Sequence, residues 1–126
     1  MPNYGTLPST GAGSGVAATV LDPGDQQILF NAESPTAPQL SIAVCRSSGP
    51  TGVPAGIVFT IKAASGTVLI LGANVDTAAE WALSEGKPLY TSANQAWDYY
   101  ADVGNFNFYC CQLSAGSGPV TAIAQR

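Results

Sequence analysis

Histidine is absent from this sequence. Its absence removes every Ser–His and Cys–His nucleophile, every histidine-ligated metal and the commonest general base, leaving only carboxylates or cysteine for any catalysis. Charge is scarce too: 10% of the 126 residues are charged, against about a quarter in an average soluble chain. The cations Arg46, Lys62, Lys87 and Arg126 are scattered, and the net charge is −4. Nucleic-acid binding needs clustered Lys and Arg to neutralise phosphates, so no nucleic-acid partner is expected. No run approaches the roughly 20 apolar residues of a membrane-spanning helix, so no membrane partner is expected either. The start, Met1 to Gly5, has neither a basic n-region nor an apolar h-region, and no secretory signal is expected. Cys45, Cys110 and Cys111 are odd in number, and a vicinal pair does not easily bridge itself. A disulfide scaffold is therefore not indicated, and the chain reads as one made in a reducing cytosol.

What is present is hydrophobic: 46% of the residues. The length suits one domain with a sizeable core, and such a composition argues against disorder. A chain with so few charges is poorly solvated as a free monomer. An uncharged polar exterior or a surface covered by a partner would answer this, and the reading favoured is a covered surface. Residues 2–15 (PNYGTLPSTGAGSG) are mostly Gly, Ser, Thr and Pro, which makes 1–15 an extended N-terminal arm and 16–126 the domain. The arm is expected to lie on a neighbouring subunit; packing on its own domain is the plainer alternative. Its Gly11 to Gly15 stretch superficially resembles a phosphate loop, but it precedes a strand and lacks the lysine.

From Val16 the pattern alternates. Val16, Ala18 and Val20 run up to the turn Asp22-Pro23-Gly24-Asp25, and Gln27 to Phe30 form a second short strand. Gln39 to Arg46 alternates with Leu40, Ile42 and Val44 on one face, and Ile57, Phe59 and Ile61 resume the alternation. Val68 to Leu71 reads as a buried strand, Ala73 to Leu83 as the one place for a helical turn, with Asp76 or Thr77 as its cap, and Pro88 to Thr91 as a short strand. Phe106 to Leu113 is a strong strand with Phe106, Phe108 and Cys110 on one face, and Val120 to Ile123 ends the pattern. About eight short strands with turn signals every 8–12 residues predict an all-β fold. The expected architecture is an antiparallel β-sandwich, with a jelly roll as one form of it.

Three features carry possible chemistry. Asp98 and Asp102 flank Tyr99-Tyr100 after Trp97. Paired carboxylates beside aromatics would serve a glycosidase, hold a sugar, or help ligate calcium. The plain reading is a loop with solvated carboxylates and aromatics packed on the sandwich edge. Cys110 and Cys111 occupy one strand, so one faces the core and the other the opposite side. No cation nearby in sequence lowers a thiol pKa, so they read as small hydrophobes. No metal and no cofactor are expected. Trp81, Trp97, Tyr90, Tyr99, Tyr100 and Tyr109 concentrate in the second half, where they would form core, interface anchors or sugar platforms.

Three segments, Pro38–Gly49 (PQLSIAVCRSSG), Val68–Val75 (VLILGANV) and Leu83–Thr91 (LSEGKPLYT), are similar to small β-sandwich structural proteins of tailed bacteriophages. The likeness is one of element order across residues 26–113: an alternating strand into a Ser/Gly turn, an apolar strand, an L-x-x-G turn, then a short strand. It implies a non-enzymatic virion protein made in the host cytoplasm, either a capsid decoration (cement) protein or a tail or head-fibre component. It also implies a homotrimer and contact with a major capsid protein or another virion protein, with no catalytic residue to carry over. The segment Trp97 to Asp102 departs from that pattern. Candidate interface residues are Tyr4 and Leu7 in the arm with Trp97, Tyr99 and Tyr100. The alternative function is a carbohydrate- or receptor-binding module built on the same aromatics, and a carboxylate enzyme ranks below both.

Overall fold

The computed structural model describes residues 18–33, 36–46, 56–63, 65–93, 96–103, 106–116 and 119–126. The expected arm, with Tyr4 and Leu7, lies outside them, as does Val16. In chain order the elements are β1 (Thr19–Leu21), β2 (Gln26–Glu33), β3 (Gln39–Leu40), β4 (Val44–Arg46), β5 (Ile57–Ala63), β6 (Thr67–Ala73), α1 (Ala78–Glu85), β7 (Tyr90–Ala93), β8 (Asp98–Asp102), β9 (Phe108–Ala115) and β10 (Val120–Gln125). One sheet runs β1-β4-β9-β6-β7, with β3 also on β9; the other runs β2-β10-β5-β8. The fold is an all-β sandwich. Its pairings are antiparallel except β1 with β4, which run parallel.

Period-two alternation builds the core. In β5, Ile57, Phe59, Ile61 and Ala63 point inward and are fully buried, while Val58 and Lys62 point out. They meet Val68 and Ile70 of β6 and Tyr109, Cys111 and Leu113 of β9, together with Phe30, Val120, Ala122 and Ala124. The opposite face of β6 and β9 is apolar as well, through Leu71, Ala73 and Cys110, and cannot be left to water. Helix α1 covers it with Trp81, which is fully buried. Thr77 caps the helix by accepting from the Glu80 N–H at 3.3 Å. The Trp81 Nε1–H donates to Asp76 in the turn before the helix at 2.7 Å, and the Gln112 amide on β9 donates to Glu85 at 2.8 Å, fastening helix to sheet. Where β6 begins, Gly66 and Gly116 both hold positive φ and face one another, and a side chain on Gly116 would collide with Gly66 backbone.

Two sequence expectations are corrected. Gln39 to Arg46 is two short strands, not one. The Ser41 Oγ accepts the Cys111 N–H at 3.0 Å and donates to the Ile42 carbonyl at 2.8 Å, so a hydroxyl replaces a backbone partner and breaks the ladder. Leu40 and Ala43 therefore pack with the helix-side cluster, while Ile42 and Val44 enter the main core. Phe106 precedes β9 and joins the main core, edge-on to Tyr109 at 6.1 Å, whereas Phe108 and Cys110 face the helix.

Candidate functional site

The segment 97–102 was expected as a loop with solvated carboxylates; Asp98–Asp102 is instead an edge strand, β8, paired antiparallel with β5. Pairing sorts its side chains into two faces with different chemistry. Asp98, Tyr100 and Asp102 turn toward the interior, and Trp97, Tyr99 and Ala101 turn outward.

The inward face closes the open side of the sandwich. Tyr90 on β7 donates its hydroxyl to Asp98 Oδ2 at 2.7 Å, and the Tyr99 N–H donates to Asp98 Oδ1 at 2.9 Å. Tyr100 donates to Asp102 Oδ1 at 2.9 Å, and Tyr109 on β9 donates to Asp102 Oδ2. The Phe106 N–H in turn donates to the Tyr109 hydroxyl at 3.0 Å. Rings stack beneath these bonds: Tyr90 on Tyr100 at 5.1 Å and 15°, and Tyr100 on Phe59 at 6.3 Å. Because β7 and β9 belong to one sheet and β5 and β8 to the other, each Tyr–Asp bond between them stitches the two sheets together. The electrostatics follow. The Tyr90 hydroxyl holds the Asp98 carboxyl below its ordinary value, and Tyr90 itself is raised by that same bond. Burial first, and the Asp102 carboxylate second, push the Tyr100 phenol up to about 12.

This arrangement does not suit an acid pair. Asp98 and Asp102 are four residues apart along one strand, about 13 Å at roughly 3.3 Å per residue, whereas glycosidase carboxyls stand about 5–10 Å apart. Both accept tyrosine hydroxyls, and Asp102 is only 7% exposed. The thiols offer no nucleophile either: Cys111 lies in the main core and Cys110 under Trp81, and burial raises both above the ordinary thiol range. Among the described residues, no group of three or more Cys, Asp and Glu gathers to hold a metal. A cleft of about 250 Å³ lies between Gly72, Asn74, Glu80, Leu83, Lys87 and Phe106. The hydroxyl of Ser84, in its wall, is already engaged with the Gly72 and Glu80 carbonyls. No helix among the described residues is long and apolar enough to cross a membrane.

The outward face belongs to the four-stranded sheet, and no element packs on it among the described residues. Register aligns Ile28 (β2), Ile123 (β10), Thr60 (β5) and Tyr99 (β8) in one row across the four strands. The next row holds Gln26, Gln125, Val58 and Ala101. Ile28 and Val58 are 43% and 42% exposed, Trp97 46% and Tyr99 65%. Lys62, next to Thr121 in the register, places its ammonium 5.4 Å from the centre of the Trp97 ring and is the single charge among these side chains. Of the expected interface residues, Trp97 and Tyr99 are thus brought together and exposed. Tyr100 is turned away from them, with its hydroxyl bound to Asp102. Lys62, Thr60, Ile28 and Ile123 were not singled out from sequence; the alternation of β5 alone would have placed Lys62 and Thr60 outward.

No protein-family model matches the sequence, and no curated protein matches it significantly.

Proposed function

We propose that this protein is a non-enzymatic structural component of a virion, most concretely a capsid decoration protein that stabilises a shell through subunit contacts. The observation that carries this reading is the asymmetry of the two outer sheet faces. One is sealed by α1 through Trp81, while the other exposes Ile28 and Val58 beside the half-buried Ile123, with the Lys62 ammonium near them. An exposed face of aliphatic side chains flanked by glutamines is the surface chemistry of a subunit contact. The low-complexity arm of residues 1–15 supplies a second means of gripping a neighbour. The likeness in element order to tailed-phage structural proteins supports the choice of assembly, with a homotrimer on a major capsid protein as its concrete form.

Light scattering on the full chain tests the contact. The wild type is expected to have a trimer mass, and Ile123→Glu to be monomeric with unchanged circular dichroism, because a charge in the middle of the aliphatic row must be desolvated on docking. A wild-type chain that stays monomeric and fails to decorate shells would overturn the reading. Deleting residues 2–15 is expected to leave the domain folded and to abolish decoration; full decoration by the truncated chain would refute the arm's part in it.

A further inference from the structure

We propose that Trp97, Tyr99 and Lys62 form a binding platform for a glycan that carries carboxylated pyranose residues. The site lies at the β8 end of the exposed face, beside the aliphatic row assigned to assembly, and does not depend on that assignment.

Three observations converge. Trp97 immediately precedes the edge strand β8 and Tyr99 lies within it two residues on, and both rings are exposed. They stand at the rim, where a ligand can lie across them without displacing any element. Sugar rings present C–H faces that pack on aromatic rings, and Trp and Tyr do this at little conformational cost because they have two rotatable bonds.

The second observation is charge. Lys62 lies over the Trp97 ring, and Asp98, opposite the adjacent Ile61 in the register, is turned away from it toward the Tyr90 hydroxyl. The ring face takes none of the three ammonium N–H donors in a conventional hydrogen bond, so they can pair with a carboxylate lying over the ring. Thr60, opposite Tyr99 in the register, adds a hydroxyl at the inner border for sugar hydroxyls. A single cation is too few for a phosphate backbone, which needs several. It is enough to select an acidic sugar over its neutral analogue.

The third is rigidity. The other side of β8 is held by Asp98 and Asp102 through the hydroxyls of Tyr90, Tyr100 and Tyr109. An edge strand would otherwise be the most mobile part of a sheet. Here the carboxylates fix the strand from beneath and set the two outer rings in place before a ligand arrives, which lowers the ordering cost of binding. The aspartates thus act as the backing of the platform and do not touch the ligand.

The experiment is a glycan array probed with the full chain, spanning hexuronate and sialylated glycans, their neutral counterparts and sulfated ones, followed by titration of the best carboxylated glycan and its methyl ester. Retention of carboxylated glycans is expected, with perturbed fluorescence of the exposed Trp97. Trp97→Ala and Tyr99→Ala are expected to abolish binding of acid and ester alike. Lys62→Gln is expected to reduce binding of the acid by about threefold to tenfold, and to leave the ester unchanged. Ile123→Glu should leave glycan binding intact while dissociating the oligomer, which separates failure of this site from failure of the assembly reading. The proposal is overturned if no carboxylated glycan is retained above its neutral counterpart, if sulfated glycans alone are retained, or if Trp97→Ala and Tyr99→Ala bind within twofold of the wild type.

Discussion

Tyr100 and Asp102 lie two residues apart in one strand, point the same way and share a hydrogen bond, and this pairing gives stability a pH dependence. An unfolded tyrosine ionises near pH 10, while in the fold Tyr100 is pushed up to about 12 by burial and by the adjacent carboxylate. Between these values the unfolded chain has released the proton and the folded chain keeps it. The unfolded state then binds fewer protons, so stability falls as pH rises from about 10 to 12 and is unaffected by this group below that range. Asp98 acts at the other end: its lowered folded value gives stability that is present above about pH 4 and lost as pH falls further. Thermal melts across pH 9–12 are expected to show a falling Tm in the wild type and a flatter profile in Tyr100→Phe; an equal slope in both would count against the assignment. None of this was legible from the sequence. Hydropathy alternation marks strands whose inner residues are apolar, and β8 turns two carboxylates inward. The segment therefore has the composition of a loop, and it becomes a strand by pairing with β5, its two carboxylates satisfied by the hydroxyls of Tyr90, Tyr100 and Tyr109.

At the scale of elements, legibility follows how apolar the inner face is. β5 alternates without exception and was read correctly, as was β6, whose run Val68 to Leu71 is buried on both faces. Helix α1 was read in the right place with two candidate caps, Asp76 and Thr77, of which Thr77 is the one the structure uses. The break at Ser41 was missed, since a serine within an alternating run looks like an ordinary outward residue. Helix α1 also has a role that its length does not suggest, since it is the lid of the second hydrophobic cluster. Trp81→Ala would open a cavity over Leu71 and Cys110, at an expected cost of about 3–5 kcal/mol in denaturant unfolding. A cost below 1 kcal/mol would mean that the sheet face needs no cover.

For the molecule as a whole, the sandwich was readable from strand number and turn spacing, but the strand order was not. Order depends on which distant segments pair, and the parallel β1–β4 contact or the Tyr–Asp closure of the β7–β8 side leaves no local mark. One consequence is measurable through the cysteines, which report on opposite sides of the same sheet. Cys110 and Cys111 are expected to stay unreactive to a thiol reagent in the native state and to become reactive together on unfolding. Reaction of Cys110 well before Cys111 would show that the helix side opens by itself.

The strand order also bears on synthesis. The strand on which β3, β4 and β6 assemble is β9, and the strand between β2 and β5 is β10. These two central strands are the last in the chain order, so neither sheet can close while the ribosome is still making the first hundred or so residues. At about 5–20 residues per second, β2 waits several seconds with its apolar side chains exposed before its partner emerges. Folding is then a late, collective event, and a nascent chain stopped short of Val120 would be a substrate for chaperones, with one sheet split in two.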